Sequence, residues 1–330
     1  MKEKEIEEKL LQAFDLWFGL GEERNNQKAK VIFEEISKKG NKIAQLFHET
    51  VVVPIQKQGQ AFGGFMRLVE DFEKKEKEGD LSERETKILS WCLLLVGKLY
   101  QAGRGVGRNR EKSFEFYRKS AEKGNGEAFL CLGTCYKNGV GVEKNFERAM
   151  EYYEKAREKG SIISLNSIGS LYHSGKGVKR DLKKAAELYE KVAKKGDYVS
   201  VYNLGLLYKN EEEFRDLDKA AEYFYRSSFM EAKFLKEKGT KILAKLIASK
   251  KIEWKPEYHK FWKYSTLLVD RTVLFWKTKK EIRTEEVILT VLLASKYRER
   301  SRDTHIKFFV KGIAMNVIKF FAHICQMSEN

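Results

Sequence analysis

Cys131 and Cys135 stand one helical turn apart, a spacing at which two thiolates could share a metal ion, but no His or Cys pair at ligand spacing accompanies them. Cys92 and Cys325 add no repeated spacing and no C-x-x-C pair, so the four read as buried structural thiols without disulfide partners. The histidines, His48, His173, His259, His305 and His323, are scattered along the chain with neither metal-ligand spacing nor a nucleophile beside them. Gly59-Gln-Ala-Phe-Gly63-Gly64 has the glycines of a phosphate-cradling loop but not the Gly-Lys-Ser/Thr ending that supplies its lysine and metal-binding hydroxyl. The paired carboxylates at Glu34 and Glu35, and at Glu211 to Glu213, fall on solvent faces of amphipathic helices. These patterns predict no catalytic group, no metal site and no cofactor, and the chain is read as a non-enzyme.

What remains is charge, and it is uneven. The 330 residues carry a net charge of +16. Residues 1–232 hold 42 basic and 38 acidic side chains and residues 233–330 hold 22 and 10, so the last hundred residues carry most of the excess. Lys296, Arg298, Arg300 and Arg302 are the densest basic cluster and the candidate contact for an acidic partner, whether nucleic acid, an anionic lipid surface or an acidic protein. The longest apolar run, Trp91 to Val96 after Ile88 and Leu89, stops at Lys98, well short of the roughly 20 residues that span a bilayer. The charged start Met-Lys-Glu-Lys-Glu has no apolar stretch followed by a small-residue cleavage site. A cytoplasmic protein without a transmembrane segment is expected.

The elements that would position these residues are helices. Only two prolines occur, and the chain repeats itself every 36 residues. Leu132-Gly133-x-x-Tyr136-x-x-Gly139-x-Gly141-Val142 returns as Ile168-Gly169-x-x-Tyr172-x-x-Gly175-x-Gly177-Val178. It is foreshadowed by Val96-Gly97-x-x-Tyr100-x-x-Gly103-x-Gly105-Val106, and a fourth copy keeps Leu204-Gly205-x-x-Tyr208 before losing both loop glycines. The second half of each unit pairs Ser113, Ala149, Ala185 and Ala221 with Tyr117, Tyr153, Tyr189 and Tyr225 four residues on, and Gly124, Gly160 and Gly196 close the first three units. The glycine at 133 lets two helices approach, and the rings are expected to rest on the small residues such as Ala149 and Ala185. Gly139 and Gly175 stand where a helix ends in a left-handed residue, and Asn109, Asn145 and Asp181 are of the types that cap the next one. Each unit is thus two antiparallel helices that bury their apolar faces only by stacking on the neighbouring unit.

The pattern L-G-x-x-Y-x-x-G-x-G-V followed by a capping Asn or Asp and the Ala/Tyr pair resembles the Sel1-like repeat family, relatives of the tetratricopeptide repeats, most strongly over residues 90–232. The resemblance implies an all-α, helical-pair solenoid, a right-handed superhelix, that acts as an adaptor or scaffold holding other proteins. It also implies a groove lined by the first helix of each pair. In that register the groove positions are Lys98 and Gln101, then Thr134, Lys137 and Asn138, then Asn166, Ser170 and His173, then Tyr202, Leu206 and Lys209.

Three regions are expected. Residues 1–79 carry degenerate helical repeats: Gly19, Gly21, Asn25, Ala29, Phe33 and Gly40 keep the register of a first unit. A second unit keeps Leu68, Phe72 and Gly79 around an irregular stretch from Val51 through Pro54 to Gly64. Residues 80–232 form the repeat solenoid, its first helix starting at the capping-box sequence Ser82-x-x-Glu85. Residues 233–330 form a basic helical region whose last helix sets Phe308, Phe309, Ile313, Val317, Phe320, Phe321 and Ile324 on one face. The alternative function, binding nucleic acid or an anionic membrane surface, is assigned to this region.

Overall fold

A computed structural model describes residues 3–18, 20, 25–52 and 59–227, together with positions 238, 239, 242, 243 and 246. The chain separates into two compact units, Met1–Lys195 and Gly196–Asn330. In the first, helices run in antiparallel pairs: α1 (Glu3–Phe18) with α2 (Asn26–Lys38), α3 (Lys42–Val52) with α4 (Gly59–Glu78), and α5 (Glu83–Ala102) with α6 (Arg110–Glu122). Two more pairs follow, α7 (Gly126–Asn138) with α8 (Phe146–Glu158) and α9 (Ile162–Ser174) with α10 (Leu182–Ala193). In the described part of the second unit, α11 (Tyr198–Asn210) pairs with α12 (Leu217–Ser227). The chain is an all-α helical-repeat solenoid. No helix among the described residues is long and apolar enough to cross a membrane.

The local signals work as their chemistry requires. Ser82 accepts from the Glu85 amide while the Glu85 carboxylate reaches back to the Ser82 amide, which closes the capping box and starts α5. Asn25, Asn109, Asn145 and Asp181 each accept a bond from the backbone amide three residues on and so start α2, α6, α8 and α10. The turn inside each later pair is fixed by one further bond: the amides of Asn109, Asn145, Asp181 and Asp216 donate to the carbonyls of Tyr100, Tyr136, Tyr172 and Tyr208 at 2.9–3.1 Å. Gly141 is the strictest glycine. Its φ is +69°, and a Cβ there would lie 2.2 Å from the Arg110 carbonyl oxygen, so the turn of one pair rests directly on the backbone of the pair before.

Two expectations are corrected. The stretch Gly59–Gly64 is the first part of α4, not an irregular segment; its Gly64 admits the Leu46 side chain, which a Cβ would meet at 2.5 Å. The rings of Tyr117, Tyr153 and Tyr189 lie against the glycines of the first helices: a Cβ at Gly97, Gly133 or Gly169 would run into them. In the last pair the ring on Gly205 is Phe224, fully buried, and not Tyr225. The reason is a shorter turn, in which the 3-10 segment Glu212–Phe214 replaces the glycine loop and Asp216 bonds the Tyr208 carbonyl eight residues away where the other pairs span nine. Every later residue is advanced by one, which makes Ala220, not Ala221, the counterpart of Ala185.

Upstream, the first pair keeps the expected register, with Ala29 and Phe33 buried and Gly40 at φ +86°. Its Phe14 and Phe18 stack on Trp91 of α5 at 5.0 and 4.9 Å, which ties α1 to the third pair. Gly19, Gly21, Pro54 and all the expectations for residues 247–330, including the cluster Lys296, Arg298, Arg300 and Arg302, lie outside the described residues.

Candidate functional site

The first helices of the pairs present the residues singled out for binding, and the structure shows what holds each of them. Tyr117, Tyr153 and Tyr189 pass across the glycines of the first helices, and burial raises the pKa of each phenol, so the hydroxyls stay neutral donors. The Tyr117 hydroxyl donates to Gln101 Oε1 at 2.9 Å. The Tyr153 hydroxyl lies 3.4 Å from Thr134 Oγ1 and also bonds Ser167, and the Tyr189 hydroxyl bonds Ser170. Gln101, Thr134 and Ser170 are therefore held from beneath by core tyrosines.

Neighbouring first helices are also joined through these positions. Lys137 Nζ donates to Ser170 Oγ at 3.3 Å, joining α7 to α9, and burial lowers the Lys137 pKa. Lys98 Nζ bonds Glu127 Oε1 at 2.9 Å, joining α5 to α7, and sits 4.9 Å from the centre of the Phe18 ring. His173 meets the Tyr189 ring edge-on at 6.3 Å. Asn166 is half-buried on α9 and Asn138 is exposed at the end of α7. On α11, Tyr202 stands edge-on to Phe224 at 5.8 Å, and Leu206 and Lys209 are half-buried beside it.

Glu127 is the residue that sequence reading missed. Among the described residues it is the only buried charged side chain, 7% exposed, and its Oε2 is buried without a hydrogen-bond partner. A signal was present, because residue 127 shares its column of the 36-residue repeat with Trp91, Ile163 and Val199, and a carboxylate stands out among apolar residues there. The thiols Cys92, Cys131 and Cys135 are free, and burial pushes each up to about 12, which keeps them protonated and unreactive at neutral pH. Among the described residues no group of His, Cys, Asp and Glu is placed to hold a metal ion.

Stacked helix pairs with a polar, pre-set row on the first helices define a solenoid repeat protein. The model of the Sel1 repeat matches at residues 16–41, 92–125, 129–161, 162–197 and 199–228, and the chain belongs to the Sel1 repeat family. No curated protein matches it. Among solved structures it is similar to a Sel1 repeat protein from Oxalobacter formigenes, 21% identical at a TM-score of 0.47 over 71% of this chain and 90% of that one. A protective antigen present in uropathogenic Escherichia coli strains, c5321, is 20% identical at a TM-score of 0.37, over 92% of this chain and 71% of its own. The immunity protein Pa5087 from Pseudomonas aeruginosa is 16% identical at 0.33, over 60% and 86%. Likenesses this distant carry no reading of what the chain binds.

Proposed function

We propose that the chain is a non-enzymatic adaptor that holds other proteins on the first-helix faces of its repeats. Sel1 repeats generally mediate contacts between proteins and are typically non-catalytic, which supports the class. The observation that carries the reading is the row of polar side chains whose identities change from pair to pair while a glycine beneath them receives an aromatic ring in every one of these pairs. Lys98 and Gln101 occupy it on α5, Thr134, Lys137 and Asn138 on α7, and Asn166, Ser170 and His173 on α9. The same register on α11 carries Tyr202, Leu206 and Lys209. A surface held in place from below loses little side-chain entropy on binding, so modest polar contacts suffice for capture. The free thiols suit a reducing compartment such as the cytoplasm.

The test is direct. A partner identified by recovery on the full chain is purified, and its affinity is measured for wild type and for the Asn166→Ala, His173→Ala double variant. Loss of about tenfold or more with an unchanged melting temperature supports the reading, since two contact residues of this kind contribute about 1 kcal/mol each. Unchanged affinity sinks it.

The +12 balance of residues 233–330, 22 basic against 10 acidic side chains, supports a second reading in which this region binds nucleic acid or an anionic membrane surface. It predicts retention of the full chain on heparin and an affinity that falls steeply with salt. Binding indifferent to salt removes it.

A further inference from the structure

The turns inside the helix pairs hold charge that the rest of the solenoid does not. Residues 103–112, 139–148 and 175–184 occupy the same place in successive repeats and together carry 11 basic and 4 acidic side chains, whereas the remainder of residues 1–232 carries 31 and 34. The three turns are in contact. A Cβ at Gly141 would lie 2.2 Å from the Arg110 carbonyl oxygen, and one at Gly177 would lie 2.6 Å from the Phe146 carbonyl carbon, so each turn rests on the start of the second helix before it. They form one basic edge along the first compact unit.

The charge on this edge is not neutralised from within. Arg104, Arg108, Arg110, Lys144, Lys176 and Lys179 are all exposed, and among the described residues none of them is ion-paired. On the neighbouring helix faces, by contrast, Lys119 is paired with Glu73 and Lys123 with Glu76. Lys144 and Lys176, from successive turns, stand over the same Phe146 ring at 4.9 and 5.6 Å. Burial, together with the Lys176 charge, lowers the pKa of Lys137 at the end of α7. Like charges gathered without counter-charges hold a positive potential that an anionic ligand relieves.

We propose that this edge binds an extended, Asp- and Glu-rich segment of a partner protein, laid across the three turns. Neighbouring helices pack roughly 8–10 Å apart, so about six residues of extended chain reach from the first turn to the third. Two features favour a peptide over nucleic acid. Among the described residues of the edge no ring is open for a base to stack on: Phe146 is half-buried with two lysines over it, and half-buried Tyr172 has Lys184 Nζ 4.2 Å from its centre. The edge also presents tight glycine turns where readers of a duplex insert a helix or a strand ribbon. The proposal rests on the adaptor reading for the class of partner and adds its chemistry, on the turns rather than on the first-helix faces.

The test uses the full chain at about 0.15 M salt, where distant charges are screened, and reads fluorescence anisotropy. Its probes are a labelled dodecapeptide of alternating glutamate and serine, the glutamine counterpart of that peptide, and heptathymidylate, which matches the glutamate peptide in charge. Wild type should bind the glutamate peptide and not the glutamine one. The triple variant Arg108→Ser, Lys144→Ser, Lys179→Ser removes one exposed cation from each turn and should weaken the glutamate peptide about tenfold, the sum of three modest surface ion pairs. Binding of heptathymidylate should change by less than about twofold in that variant, and so should binding of the peptide when Lys296, Arg298 and Arg300 are replaced instead. Carbodiimide cross-links from the bound peptide should fall on Lys144, Lys176 or Lys179, a readout that needs no variant.

Equal peptide binding by wild type and the turn variant overturns the proposal, as do cross-links confined to residues 233–330. An oligonucleotide that loses as much affinity as the peptide makes the ligand nucleic acid and overturns it too. Any of these results, with partner capture still dependent on Asn166 and His173, sinks the basic edge alone. Capture insensitive to Asn166 and His173 sinks the adaptor reading instead.

Discussion

At the scale of residues the fold depends on how closely a ring can approach a backbone. A Cβ at Gly133 would sit 2.5 Å from the Tyr153 ring and 3.1 Å from the Ala149 carbonyl oxygen, and the ring is buried at 1% exposure, so little room is left for it to give way. Gly133→Ala should lower stability by about 1–3 kcal/mol in a denaturant titration, although alanine is the better helix former, because overpacking exceeds the propensity gain. This contact was half legible in the sequence. The glycine and the tyrosine each announced themselves through the 36-residue period, but which small residue receives which ring depends on how two helices cross. Phe224 was illegible for another reason: Tyr225 keeps the spacing, and only the shortened turn around Glu212–Phe214 moves the phenylalanine into its place. Phe224→Ala should therefore cost about 3–5 kcal/mol in the second unit and Tyr225→Ala much less, as unfolding followed by the helical signal would show.

At the scale of elements, caps and cross-links set where helices begin and how neighbours are joined. The Lys75 ammonium, with the Ser82 amide and hydroxyl, holds the Glu85 carboxyl down to about 2. Because the folded value lies below the ordinary one, the contribution is present above the usual glutamate range and lost as pH falls towards 2. Glu85→Gln should be less stable than wild type by about 1 kcal/mol at pH 7, with the gap closing between pH 5 and pH 2 in parallel melts. This cap was legible, since Ser82-x-x-Glu85 is a local signal that needs no tertiary information. The bridge from Lys98 to Glu127 is its opposite, two residues 29 apart that only the stacking of α5 on α7 unites. Lys98→Met should cost about 3 kcal/mol by leaving a buried carboxylate unpaired, and adding Glu127→Leu should restore most of it, a non-additivity that a double-mutant cycle would register.

At the scale of the whole molecule, the period of the sequence foretold the helix pairs, because each pair repeats one solution to one packing problem. It could not foretell which pairs would touch out of turn. Nothing in the spacing says that Phe14 and Phe18 of α1 stack on Trp91 of α5, or that Leu20 pairs with Ser161. The uneven charge was legible from composition alone, and salt titration of heparin binding by the full chain is where it should be felt. The bridge from Leu20 to Ser161 has a consequence for synthesis. A ribosome makes Leu20 long before it makes Ser161, so most of the first unit must emerge before Phe18 and Leu20 find their cover. Nascent chains stalled with residue 125 just outside the exit tunnel should exchange their amide hydrogens quickly across residues 14–20. Chains stalled with residue 195 outside should exchange them slowly, and until then those apolar side chains are open to whatever escorts the growing polypeptide.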